Sequence, residues 1–121
     1  MSIDIISKIQ TGTPPDTNAT QLFLMDVEKL LDALPQQPLF DLVVTSPPYN
    51  IGKEYETQKP LTDYVAWQRR IIEKIYPRLK DNGSICWQVG NYVENGSITP
   101  LDIELAPIFK DYLSVEILPF H

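Results

Sequence analysis

The chain has 121 residues, a formal net charge of −6, one cysteine and one histidine. It is therefore at most one domain, with no internal disulfide and no credible metal set. The acidic balance argues against a surface that grips nucleic-acid phosphates on its own. The N-terminal residues lack the basic and apolar regions of a signal peptide, and no stretch is long enough to span a membrane, so a cytoplasmic protein with no membrane segment is expected.

Residues 1–20 are partly polar, with a Gly12-Thr13-Pro14-Pro15-Asp16 loop, and read as an irregular arm. Residues 21–25 predict a short strand ending at Asp26. Residues 27–34 predict a helix with Val27, Leu30, Leu31 and Leu34 on one face, closed by Pro35 and Pro38. Residues 40–45 predict the next strand. Residues 50–60 are polar and turn-rich without a clear period, a loop expected to order around a substrate.

The strongest helical pattern covers residues 61–79. Thr62 is placed to cap it, and Tyr64, Trp67, Ile71, Ile75 and Leu79 recur at helical spacing as core residues. Pro77 is expected to end or kink it near Tyr76. Asp81-Asn82-Gly83 reads as a turn and residues 84–89 as a strand, with Cys86 a buried thiol inside an apolar run. Thr99-Pro100-Leu101-Asp102 resembles a helix start. Leu101, Leu105, Ile108, Phe109 and Tyr112 make its inner face, and Pro107 is placed to bend it. Residues 115–118 predict a further strand. Alternating strands and helices imply an α/β fold with a parallel sheet. Ligands in such folds gather at the carboxyl ends of strands, where Asp26, Ser46 and Asn91 are expected to fall.

The most informative segment is Asp-Leu-Val-Val-Thr-Ser-Pro-Pro-Tyr-Asn, residues 41–50. An apolar strand run stops at Ser46 and two prolines, which fix φ, donate no N–H and hold the residues before them out of helical geometry. The alternative is a proline-stiffened surface turn. Functionally, the segment offers the Ser46 hydroxyl, the Pro47 carbonyl and the Tyr49 ring, which suit a planar heterocycle bearing an exocyclic amine. The lone pair of such an amine is delocalised into the ring. Two acceptors aimed at its N–H bonds favour a pyramidal nitrogen with a localised pair, and a stacked ring holds the base for in-line attack. A base in a duplex reaches that geometry only by leaving the stack.

Thr45-Ser46-Pro47-Pro48-Tyr49-Asn50-Ile51-Gly52-Lys53 resembles the catalytic (Asp/Asn/Ser)-Pro-Pro-(Tyr/Phe/Trp) motif of the DNA amino-methyltransferases. The similarity extends from about Leu22 to about Leu113, with Phe23-Leu24-Met25-Asp26 upstream and Leu79-Lys80-Asp81-Asn82-Gly83-Ser84 downstream. The resemblance implies a partial Rossmann-like methyltransferase sheet over residues 21–121 and S-adenosylmethionine as cofactor. It implies double-stranded DNA as partner, with base flipping, and a place in a restriction-modification system beside a cognate endonuclease. It assigns Ser46, Pro47, Pro48 and Tyr49 to the catalytic loop. Asp26 matches the acidic residue that contacts the cofactor adenine, and it reads equally as the N-cap of the following helix. Asn50 and Lys53 adjoin the motif. Ser46 in place of Asp tips the target toward cytosine N4, with adenine N6 the alternative.

The family's cofactor loop is a Phe-x-Gly-x-Gly-type turn, and the five glycines here (Gly12, Gly52, Gly83, Gly90, Gly96) never occur as Gly-x-Gly. The chain is similar to the opening segment of the permuted family order, in which the catalytic motif comes first. The expectation is therefore an N-terminal portion of a longer enzyme, inactive by itself. The competing classes are a methyltransferase acting on RNA or a protein amide, and a non-catalytic remnant of such an enzyme.

Overall fold

The computed structural model describes residues 20–48 and 60–112. The arm at residues 1–19, the segment carrying Tyr49, Asn50 and Lys53, and the strand expected at 115–118 lie outside the described residues.

The first helix, α1 (Val27–Ala33), starts because Asp26 is extended at φ −61° and ψ 137° and its Oδ2 accepts the N–H groups of Glu28 at 3.0 Å and Lys29 at 3.3 Å. Leu34, extended ahead of Pro35, closes it. Leu31 and Leu34 are buried as expected, whereas Val27 is exposed. Residues 21–25 form no strand, contrary to expectation. A strand exists only against a neighbouring ladder, and Leu22 and Leu24 are 78% and 98% exposed.

Strand β1 (Phe40–Thr45) runs parallel to β2 (Leu79–Trp87), with α2 (Leu61–Ile75) and a 3₁₀ turn (Tyr76–Arg78) between them in the chain. This is a βαβ unit. In α2, Tyr64, Gln68, Ile71, Ile72 and Ile75 are buried on one face, which packs against α1 on one side and α3 (Leu101–Lys110) on the other. Leu31, Ile71 and Ile75 form one core cluster, covered by Phe40, Val43, Ile85 and Trp87 from the sheet. Ile72, Leu105 and Ile108 form a second. The expected cap at Thr62 is not formed. Pro60 occupies the cap position without a side-chain bond, so Thr62 lies inside the helix. Pro77 ends regular helix as expected, through the 3₁₀ turn.

The turn expected at 81–83 is absorbed into β2. Phe40 pairs with Leu79, and Leu42 with Ser84, so two steps along β1 match five along β2. Gly83 sits in this irregularity, where an added Cβ would lie 2.7 Å from a Leu79 methyl and 2.9 Å from the Lys80 carbonyl oxygen. Cys86 corrects a second expectation: it is exposed. Strand alternation turns Ile85 and Trp87 toward α2 and Cys86 away with Leu42 and Val44, on the sheet face that no described helix covers.

After β2 the chain forms an unexpected hairpin, β3 (Asn91–Glu94) with β4 (Ser97–Pro100), turned at Asn95 (φ 51°) and Gly96 (φ 81°). Asn-Gly is the favoured pair for a two-residue turn with both residues at positive φ. Tyr92 from this hairpin joins Tyr64 and Leu101 in a third cluster. Pro100 takes the N-cap position of α3, and Pro107 sits inside the helix. The carbonyl that loses a helical donor there belongs to Ile103, an exposed residue.

A charge network ties α1 to α2. Glu28 binds Arg70 at 2.9 Å and Lys74 at 3.2 Å, and Lys74 also binds Asp32 at 3.0 Å. The Arg70 hydrogen bond outweighs the opposing effect of partial burial and, with the smaller Lys74 bond, holds the Glu28 carboxyl down at about 2 from an ordinary 4.5. A depressed folded value means the contribution is full above 4.5 and is lost as pH falls through about 2. Wild-type protein should therefore lose more thermal stability between these pH values than Glu28→Gln, by roughly 1 kcal/mol because Arg70 is half exposed and screened. Parallel acid melts of the two proteins would show no connection to α1 docking if they superimposed.

Candidate active site

Ser46 leaves the carboxyl end of β1 exposed to solvent, Pro47 is buried and Pro48 half-buried. Two contacts hold the turn. The Tyr64 hydroxyl donates to the Pro48 carbonyl at 2.6 Å, and the Ser46 hydroxyl donates to Gln88 Oε1 at 3.0 Å. Tyr64 is fully buried, packed edge-on against Trp67 at 6.0 Å between ring centroids. The first helical turn of α2 thus reaches back to fix the loop. The Pro47 carbonyl accepts no hydrogen bond among the described residues.

Gln88 follows β2 directly. Its backbone N–H donates to the Thr45 carbonyl at 2.9 Å, extending the ladder one step beyond the Thr45–Trp87 pair. The two strand ends therefore place Ser46 beside Gln88, as the carboxyl-end rule anticipates. Asn91 begins β3 near these ends and is exposed. No described hydrogen bond joins Asp26 to Ser46. Asp26 Oδ2 caps α1, so the local reading of this residue is observed. Tyr49 lies outside the described residues.

Sequence reasoning missed Tyr64 as a loop anchor, Gln88 as a partner of Ser46, and Gln68. The last is fully buried, with Oε1 accepting the Trp87 indole N–H at 3.1 Å and Nε2 without a partner among the described residues. Burial of the Tyr92 hydroxyl, and then its 2.9 Å bond to Glu94, raise its pKa. A groove of about 360 Å³ opens on α2 between Val65, Arg69, Glu73 and Glu104, and no residue of the Ser46 loop lines it. Arg69, Arg70, Lys74 and Lys80 are all paired with carboxylates. These four cations therefore do not make a free phosphate-binding surface. Among the described residues, no group of His, Cys, Asp and Glu could hold a metal ion, and no helix is long and apolar enough to cross a membrane.

The chain is 44% identical over 97 residues to the type II methyltransferase M.BglII of Bacillus subtilis, a match covering 79% of this chain and 27% of that protein. It is 39% identical over 75 residues to the type II methyltransferase M.ScaI of Streptomyces caespitosus, covering 62% of this chain and 24% of the relative. For M.MjaVI of Methanocaldococcus jannaschii the figures are 32% over 81 residues, with 64% and 41% covered. The chain thus spans about a quarter of the length of the first two relatives. No solved structure matches it. The DNA methylase family model for N6 and N4 methyltransferases matches residues 40–115, which include the Ser46 turn, the whole βαβ unit and the hairpin, and the chain belongs to that family.

Proposed function

We infer that this chain is the catalytic-loop portion of a site-specific DNA methyltransferase that modifies the exocyclic amine of a flipped base, with cytosine N4 the favoured target. The observation that carries the reading is the turn after β1. There Ser46 is exposed at a parallel strand's carboxyl end, and Tyr64 pins the Pro48 carbonyl two residues further on. In this reading the Ser46 hydroxyl oxygen and the Pro47 carbonyl accept the two N–H bonds of the amine and localise its lone pair for attack. Tyr49 stacks on the base. Ser46 needs no strong basicity, because the amine becomes acidic once it carries the new methyl group.

S-adenosylmethionine is the proposed methyl donor. The described residues do not by themselves form its pocket. Asp26 caps α1 through Oδ2 alone, which leaves Oδ1 available to a cofactor, while Gly83 and Gly96 sit at a strand irregularity and a hairpin turn. The cofactor cradle and the basic DNA footprint are therefore assigned to other parts of a longer enzyme, consistent with the fraction of the relatives matched. The enzyme would serve a restriction-modification system, a reading supported by its likeness to proteins named type II methyltransferases.

The test is to supply the complete enzyme containing this segment with duplex DNA and methyl-labelled cofactor, then digest the DNA to nucleosides. Label in N4-methylcytosine is the expected result. Label in N6-methyladenine would correct the target base, and label confined to RNA or protein would overturn the DNA assignment.

A further inference from the structure

We propose that Gln88 is a positioning residue that turns the Ser46 hydroxyl into a pure acceptor for the target amine; the proposal rests on the function inferred above. A serine hydroxyl carries one proton and two lone pairs, and the proton rotates freely unless something accepts it. An amine presenting N–H bonds to Ser46 needs a lone pair, so a hydroxyl proton pointing at the amine would oppose it. Gln88 Oε1 lies 3.0 Å from Ser46 Oγ and takes that proton. Both lone pairs of Oγ are then directed away from Gln88. An aspartate at the motif's first position would have no proton to dispose of, so this requirement arises from the serine.

The fold makes the arrangement dependable. Gln88 is held by its own backbone bond to the Thr45 carbonyl at 2.9 Å, independent of its side chain. Its α-carbon is therefore fixed one step past the Thr45–Trp87 pair, opposite Ser46 across the parallel ladder. The side chain is exposed, so replacing it disturbs no core packing.

Gln88→Leu removes the acceptor and ends the side chain one atom short of Oε1, whereas Gln88→Glu keeps both the length and an acceptor oxygen. In the complete enzyme Gln88→Leu should lower kcat by about ten-fold, the scale of one well-placed hydrogen bond, with KM for DNA and cofactor unchanged. Gln88→Glu should restore kcat. In a Ser46→Ala background, Gln88→Leu should add no further loss, since the residue it orients is already gone. Parental kcat in Gln88→Leu, equal impairment of the Leu and Glu variants, or a full further loss in the double variant would each overturn the proposal. Failure of the function itself is read separately, from absence of methyl transfer by the unsubstituted enzyme.

Discussion

Ser46→Ala should lower kcat of the complete enzyme by on the order of 10²–10³, the usual consequence of deleting one preorganised electrostatic stabiliser. The expected size follows from how little else is positioned to replace it. The hydroxyl stands at the end of β1, and the neighbouring Pro48 carbonyl is already occupied by Tyr64. Only the Pro47 carbonyl would remain to face the amine. Little structural cost should accompany the loss. Ser46 is exposed, and Gln88 Oε1, its one described side-chain partner, is on an exposed residue that water can satisfy. Cofactor and DNA affinity should therefore change little while turnover falls, the signature of an interaction made mainly in the transition state. Single-turnover rates with methyl-labelled cofactor measure this directly. Parental turnover in Ser46→Ala would remove Ser46 from the reaction, whatever the family membership of the chain.

The contrast between Ser46 and its partners shows what could be read from sequence. The Ser46 turn is a local pattern, an apolar run halted by two prolines, and the structure places β1 at the expected Phe40–Thr45. The α2 stripe was legible because Tyr64, Ile71 and Ile75 repeat at helical spacing. The partners of the turn were not legible in the same way. Tyr64 reaches Pro48 across 16 residues and Gln88 reaches Ser46 across 42, separations that only the βαβ crossover closes. Tyr64 was visible as a core aromatic, but nothing local says that its hydroxyl faces a carbonyl.

Inside and outside were misjudged for Cys86 for a related reason. An apolar strand run does not say which of its faces a helix covers. Residues 21–25 failed as a strand because strand propensity without an adjacent ladder decides little. The hairpin is different, since its Asn95-Gly96 turn signal is local and present in the sequence.

The second large effect concerns the fold that carries this site. Arg78→Met should destabilise the chain by about 2–4 kcal/mol, because buried charge-assisted hydrogen bonds are lost and their acceptors stranded. Arg78 is only 4% exposed and has no carboxylate partner among the described residues. Its guanidinium instead donates to the Lys74 carbonyl at 2.6 Å and the Leu34 carbonyl at 2.8 Å, at the C-terminal ends of α2 and α1. Helix carbonyls left without donors carry the partial negative charge that suits a cation. The backbone carbonyl of Arg78 accepts the Leu39 N–H at 2.7 Å just before β1 begins. One residue therefore joins both helix ends and the entry to the strand that delivers Ser46. Methionine fills much of the volume but leaves both carbonyls unpaired, and lysine cannot reproduce the fork, so Arg78→Lys should recover only part of the loss. Urea unfolding of the 1–121 chain should show a lower midpoint for Arg78→Met at unchanged slope, with Arg78→Lys between it and wild type. A midpoint equal to wild type would mean that apolar packing of α1 and α2, not the guanidinium, sets the position of β1.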